Sequence, residues 1–523
     1  MESLYTRLDE SLLTCPLATG LTKFLPADKL DRITLEDIRA ELPWTRKLFS
    51  PRLSQKIASE AKRVFCILVL MEQSAAMEQL INEGITDEDL PLCRNADDKQ
   101  DSEYNVLASV GGNKRFLSSI SWGQGHHVDQ FLQKQWMVQS PIFNKAGSHF
   151  VLDKDCSLPL TECRTEQARG GMGVVHKAKI HPAHQRLFQT EDEPFFAIKE
   201  IPDKKVFKKE KKNLDMIQEL QNKHLITLLA SCERSFGDKG SSERESTYYL
   251  LFPWADGGTL RDFWEKQDSK VRTPSLIRWA LGQILGLVDG IHALHGRNIR
   301  HGDIKPQNIL VFGGHQGDNS TTLVLADMGV SKFHEKATDL RESATMTAES
   351  TISYEAPEAD DTIRKQDPRR RRYDMWSAGC MFLEFTVWLV YNNEAVKGFH
   401  EQRTDPGDPM SPGNFFAREP KQSAEIHPAV TAAIKHLREH PVCKVGTALG
   451  DLVTLISDRL LRIQPEDRTE APELLNKVKT IVDTATMKKD YLGHRANPPL
   501  PIPEFFHHTG HRKPSTSQTT TSY

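Results

Sequence analysis

The sequence predicts an α+β fold: a mostly helical N-terminal region, then a β-rich segment, then a longer helical one. Three observations carry this. Apolar residues recur at the helical period within the first 155 or so positions, short β-type runs cluster between about 158 and 250, and helical patterning returns from Leu276. A length of 523 residues allows two or three domains, each able to bury a core of its own.

The clearest N-terminal helix starts at Ser50-Pro51, an N-cap followed by proline at the first helical position. Leu53, Ile57, Ala61, Val64, Leu68 and Met71 then recur near the 3.6-residue period, and Gly84 is a plausible stop. Thr34-Leu35-Glu36-Asp37 reads as another helix start. This region carries no recognisable chemistry, so its expected role is docking or regulation. The β-type runs are Gly173 to Ile180, Phe195 to Ile201 and Thr247 to Phe252, interrupted by one helix from Lys208 to Leu220. A helix over Leu276 to His295 follows, then short strands at Ile309 to Phe312 and Leu323 to Ala326, then helices to about Val482. From Tyr491 the chain holds Asn497-Pro498-Pro499, Pro501, Pro503 and a Ser/Thr-rich end, which predicts disorder.

Composition narrows the partners more than the chemistry. With 38% hydrophobic and 27% charged residues and a formal net charge of −3, no basic excess points to nucleic acid or an anionic membrane. The block Arg369 to Arg372 reads as a solvated loop. Met1 to Glu10 lacks the basic-then-apolar layout of a secretory signal. The longest apolar stretches, Val64 to Met71 and Cys380 to Tyr391, fall short of the ~18 to 20 residues that span a bilayer. Eight cysteines without a Cys-x-x-Cys pair signal neither a zinc site nor a disulfide framework. The expectation is an intracellular, cytoplasmic protein, the nucleus also open to it, with no membrane span and no nucleic-acid partner.

Three motifs carry chemistry. Ala168-Arg169-Gly170-Gly171-Met172-Gly173-Val174-Val175 lies between two predicted strands, and backbone amides in such a turn can approach phosphates because glycine has no Cβ. Phe196-Ala197-Ile198-Lys199 then places a lysine on the following strand. Such a lysine needs an anionic partner to fix it; Glu210 shares a helix face with Leu214 and Ile217, with Glu219 and Asp215 as competing choices. Finally His301-Gly302-Asp303-Ile304-Lys305-Pro306-Gln307-Asn308 sets a carboxylate, an amine and an amide at D-x-K-x-x-N spacing, and Asp327-Met328-Gly329 follows a short strand. Hard divalent cations favour carboxylate and carbonyl oxygens. Chance matches to both motifs in order, downstream of Lys199, are rare.

Together these segments resemble the eukaryotic serine/threonine protein kinases over about residues 160 to 483. The resemblance implies a bilobal protein-kinase fold, a small β-rich lobe before a large helical one. It also implies ATP and Mg2+ as cofactors and a protein substrate with a Ser/Thr acceptor. Ala168, Gly170, Gly171 and Gly173 would cover the phosphates, Lys199 would hold the α- and β-phosphates, and Glu210 would pair with Lys199. Asp303 would orient the acceptor hydroxyl, Lys305 would neutralise the moving phosphoryl group, and Asn308 and Asp327 would bind magnesium. Phe252 would be the gatekeeper and Pro253-Trp254-Ala255 the hinge, where the Pro253 carbonyl accepts from adenine and the Ala255 N–H donates. Val175, Ala197 and Leu310 would sandwich the ring. Thr351 to Glu358 resembles the end of an activation segment and Asp374-Met375-Trp376-Ser377-Ala378-Gly379 the start of the buried central helix, with Arg468 placed to pair with Glu358. Phe252 to Gly257, His224 to Leu229 and Ile180-His181-Pro182, with Phe24-Leu25-Pro26 and Gln135-Trp136, are similar to a group of kinases from filamentous fungi.

On this reading residues 1–157 are a regulatory or docking region with a possible partner, 158–483 the catalytic domain and 484–523 a Pro/Ser/Thr-rich tail. Three positions depart from the family. Ala168 replaces a glycine, Met328 the phenylalanine of D-F-G, and Gly302 the arginine of H-R-D. That arginine commonly receives an activation-loop phosphate, so Ser343, Thr345, Thr347 and Ser350 lack the usual anchor. Activity is therefore expected not to depend strongly on phosphorylation there. A rival reading, a pseudokinase acting as a nucleotide-binding scaffold, rests on Gly302 and Ala168.

Overall fold

Seven successive apolar side chains, Val64 to Leu70, cannot all lie on one face of a helix, and all seven are buried. The structure, a computed structural model, describes residues 2–17, 22–42, 51–94, 106–110, 114–117, 125–166, 174–188, 193–236, 245–268, 273–313, 321–328, 352–360, 371–405, 411–418, 423–493 and 500–508. The chain divides into two compact units: Met1–Ala168, Gly173–Phe207 and Leu228–Trp254 form the first, and Arg169–Met172, Lys208–Thr227 and Ala255–Tyr523 the second.

In the first unit, α1 (Leu35–Glu41) starts at Thr34, whose side chain accepts from the Asp37 amide while Asp37 accepts from the Thr34 amide. The long helix expected from residue 50 is two helices, α2 (Pro51–Glu60) and α3 (Lys62–Leu70), broken where Ala61 takes φ −144° and ψ 34°. The cause lies outside the helix. The Asp87 carboxylate accepts from the Arg63 amide at 3.0 Å and the Val64 amide at 3.1 Å, capping α3 in place of an N-cap side chain. The two helices stay in phase, so Leu53, Ile57, Ala61, Val64, Leu68 and Met71 are all buried as the period predicts. A three-stranded antiparallel sheet (Leu92–Arg94, Leu107–Ser109, Arg115–Phe116) was not expected; its strands are too short to give a two-residue period.

The main sheet of this unit has six strands: β1 (Ser148–Leu152), β2 (Leu160–Glu166), β3 (Val174–Ile180), β4 (Phe195–Ile201), β5 (Ala230–Phe236) and β6 (Glu245–Pro253). Their order is β1-β5-β6-β4-β3-β2, antiparallel except for the β1–β5 pair. Alternation along β3 and β4 turns Ala178, Ile180, Phe196 and Ile198 into a core shared with Leu160 and Leu251. The opposite face carries Val175, Ala197 and Lys199, half-buried. Within this unit the N-terminal segment meets the sheet region through His184, whose Nε2 accepts from the Ala27 amide at 3.0 Å while Nδ1 donates to the Pro141 carbonyl at 3.0 Å. Phe24 meets the rings of His181 and His184 edge-on.

α4 (Lys204–Gln218) follows β4. The second unit is largely helical. α5 (Pro274–Gly296) starts at the Thr273 cap with proline at its first position and packs along α9 (Ala471–Met487). β7 (Ile309–Phe312) and β8 (Thr322–Leu325) form an antiparallel pair. α6 (Arg372–Val390) is buried from Tyr373 to Leu389, which accounts for the apolar run after Cys380 as core. Two further helices follow α6, α7 (Asn393–Glu401) and α8 (Pro428–Glu439).

The expectation of a disordered tail over 484–523 meets order where the structure describes it: α9 runs on to Met487, Lys489–Leu492 forms a turn, and Glu504–Phe506 forms another with Phe506 fully buried, while 494–499 and 509–523 lie outside the described residues. Proline and serine content outweighed Phe505 and Phe506, two large apolar side chains that need only a local groove. Among the described residues no helix is long and apolar enough to cross a membrane. All eight cysteines are free.

Candidate active site

The register Ile309↔Leu325 sets Asn308 and Ala326 opposite each other where the two strands meet the 301–308 loop, and the Ala326 amide donates to the Asn308 carbonyl at 2.9 Å. Asp327 follows with φ +62°, a left-handed backbone that costs a non-glycine residue about 1–2 kcal/mol. Such strain persists only where the surroundings enforce it, and it clusters at functional sites.

The loop from His301 to Asn308 is fixed largely through its backbone. Asp374, fully buried at the start of α6, accepts from the His301 amide through Oδ2 and from the Gly302 amide through Oδ1, each at 2.9 Å. His295 from α5 donates Nε2–H to the same Oδ2 at 2.8 Å. Burial alone would push the Asp374 carboxyl up. The hydrogen bond and charge of His295 and the Gly302 amide outweigh it and hold the group below the usual carboxylate range. His301 donates Nε2–H to the Ala326 carbonyl at 3.0 Å, so its Nδ1 is the acceptor for the Asp303 amide at 3.2 Å. Gly302 sits between them at φ +83°, a conformation glycine adopts without steric cost.

This frame presents three polar side chains together. Lys305 Nζ lies 2.8 Å from Asp303 Oδ2, and Asn308 Nδ2 donates to the same oxygen at 2.8 Å and to the Asp303 carbonyl at 2.8 Å. All three are at least nine-tenths buried. Both hydrogens of the Asn308 amide are spent on Asp303, which leaves its carbonyl oxygen as an acceptor. The Met328 side chain is buried, and its carbonyl accepts from Asn213 at 3.2 Å.

Other expected residues fall as follows. In the first unit, the pairings Val175↔Lys199 and Ala197↔Phe252 put Val175, Ala197, Lys199 and Phe252 on one face of the sheet, with Pro253 ending β6. In the second, Leu310 on β7 bridges Thr259, and the Ala255 carbonyl accepts from Gly258. Glu210 is buried on α4, whereas Asp215 pairs with Lys211 and Glu219 with Arg297 in more exposed positions. Ala168, Gly170, Gly171 and Gly173, and the hydroxyl residues Ser343, Thr345, Thr347, Ser350 and Thr351, lie outside the described residues.

Arg468 meets Glu358 with two bonds, 2.6 Å from Nη1 and 2.8 Å from Nη2, as the sequence suggested. It also donates to the carbonyls of Arg462, Ile463 and Arg372. Two residues were not given their part by sequence reasoning, His295 and Asp374. The D-x-W-S-x-G motif showed where Asp374 stands but not that its carboxylate reaches back over 70 residues to hold the loop.

Residues 169–478 match the protein kinase domain family. The serine/threonine-protein kinase nekl-2 of Caenorhabditis elegans is 26% identical over 272 residues, 51% of this chain and 60% of that protein. Cyclin-dependent kinase 8 of Drosophila melanogaster is 29% identical over 227 residues, 41% of this chain and 44% of that protein. Serine/threonine-protein kinase 16 of Homo sapiens is 29% identical over 198 residues, 36% of this chain and 60% of that protein. The chain thus spans less than two thirds of the length of each of these relatives.

Proposed function

We propose that this chain, which belongs to the protein kinase family, transfers the γ-phosphate of ATP to serine and threonine hydroxyls of protein substrates. The observation that carries the reading is the buried Asp303–Lys305–Asn308 cluster on a loop held by its backbone. Asp303 orients the acceptor hydroxyl and receives its proton as the oxygen attacks the γ-phosphorus and the bond to the departing ADP breaks. Lys305, already beside Asp303, balances the charge of the moving phosphoryl group. Lys199 holds the α- and β-phosphates, with Glu210 as its partner. Phe252, Pro253 and Ala255 with Val175, Ala197 and Leu310 take the adenine, and Ala168, Gly170, Gly171 and Gly173 cover the phosphates. Such chemistry is mostly positioning and charge stabilisation, which suits a rigid loop.

The residues present fit a magnesium ion. Asn308 keeps a carbonyl oxygen uncommitted, Asp327 is held nearby by the Ala326–Asn308 hydrogen bond, and hard cations take such oxygens. When bound, the ion neutralises charge on the β- and γ-phosphates.

The test is transfer of radiolabelled γ-phosphate to a generic protein substrate, comparing the chain with Asp303→Asn. Loss of the proton acceptor is expected to cost about 100-fold or more in turnover. Equal transfer by the variant, or none by the unaltered chain across metals and pH, counts against the proposal. We further propose that residues 1–157 regulate the catalytic part, and that Gly302 makes this a kinase without the arginine-linked phosphate switch.

A further inference from the structure

Residues 500–508 carry two adjacent phenylalanines in a proline-rich setting. Phe506 is fully buried, its ring 4.9 Å from that of Tyr391 at the end of α6 and 6.4 Å from Phe399 of α7. Phe505 lies flat on His436 of α8, with centroids 5.2 Å apart and planes 26° from parallel. His508 Nδ1 is 2.5 Å from Glu401 Oε1. The close approach depends on Gly398: a Cβ there would stand 2.2 Å from the Phe506 carbonyl oxygen.

The backbone tells a different story from these anchors. Phe506 N–H donates to the Pro503 carbonyl at 2.8 Å, His507 N–H to the Glu504 carbonyl at 2.9 Å, and His507 Nε2–H to the Ile502 carbonyl at 3.1 Å. The segment satisfies itself as a small turn. Among the described residues no backbone hydrogen bond joins it to α7 or α8. An integral strand shares a ladder with its neighbour, whereas a docked peptide meets its groove through a few aromatic anchors and a polar rim. This segment has the second construction.

We infer that the groove lined by the end of α6, α7 and α8 is a peptide-docking site, which the chain fills with its own residues 500–508 as a releasable, tethered ligand. Recognition rests on the Phe505-Phe506 pair and on His508 beside Glu401. The tether keeps the ligand at high local concentration, so the groove of the resting chain is occupied.

The test uses the full chain. A fluorescein-labelled synthetic peptide of residues 500–508 is titrated against the unaltered protein and against the double variant Phe505→Ala, Phe506→Ala, with anisotropy as readout. The double variant is expected to bind saturably, and the unaltered chain about tenfold or more weakly because its groove is filled. Adding Gly398→Leu to the double variant should abolish binding. A second measurement needs no variant. Hydrogen exchange in the unaltered protein should be about tenfold or more faster at the Phe506 and His507 amides than in the middle of α8, since release requires no helix to open. Amides of the turn as slow as those of α8 would overturn the proposal. So would a folded double variant that ignores the peptide, or a dimer in which two copies exchange the segment.

Discussion

Replacing Asp374 is expected to loosen the 301–308 loop without touching any side chain that meets substrate. In Asp374→Asn, the side-chain oxygen is best kept at the Oδ2 position, where it still accepts from His301 and His295. The new NH2 group then faces the Gly302 amide, donor against donor, at a site with no access to water. One charge-assisted bond is lost and a buried donor is left unmet, an expected cost of about 2–3 kcal/mol. Asp374→Ala strands all three donors and is expected to cost about 3–5 kcal/mol. Urea unfolding followed by tryptophan fluorescence reads both, because Trp376 is buried two residues further along α6. Phosphate transfer should fall through turnover more than through the KM for ATP, because it is the frame of Asp303 that moves.

The pH dependence supplies a check on the cause. The folded Asp374 carboxyl is held below its ordinary value of 3.8, so its contribution is present above that value and is lost as pH falls through the lower folded one. The gap between the unaltered chain and Asp374→Asn should therefore stay flat from about pH 7 to about pH 5. If the variant unfolds within about 0.5 kcal/mol of the unaltered protein, the spread expected of ordinary surface changes, the loop is not held as argued.

Two further predictions concern control and attachment. Phosphatase treatment of the full chain should leave transfer activity largely intact, since Gly302 offers no guanidinium to an activation-loop phosphate; a collapse of turnover would remove that account. Burial lowers the His184 pKa from 6.5, against the hydrogen bond to Pro141, so its neutral form is the one the fold selects. Stability should then fall as pH drops below about 6.5, as the unfolded chain takes up a proton that folded His184 resists. Removing the group by His184→Gln should flatten the slope of the unfolding midpoint over that range, and equal slopes in the two proteins would count against it.

How far the sequence revealed these features depended on how local their causes are. β4 and β7 were legible to the residue because β-branched and aromatic runs end at turn residues. The break at Ala61 was not, because the capping carboxylate comes from Asp87, more than twenty positions away, and period analysis sees only spacing. β1 was hidden for a similar reason: its partner β5 lies some 80 residues on, in parallel, and Ser148–Leu152 alternates only weakly. The grouping of Asp303, Lys305 and Asn308 was legible because one short loop carries all three. The turn at Glu504–Phe506 was not legible because composition averages over the two phenylalanines that anchor it.

Gly302 bears on the proposed site through its backbone. An arginine at this position would have to hold φ +83° against the steric cost of a Cβ, with Asp374 and the two amides enforcing it. Glycine takes that conformation freely, so the Asp374 bonds are left to position the loop rather than to oppose strain. His301 on the Ala326 carbonyl and Asn308 on Asp303 brace the same loop from its other end. The loop is thus supported by groups of its own unit. Glycine at this position both relieves the backbone and supplies no guanidinium, and both accord with the proposal of a loop assembled without an activation-loop phosphate.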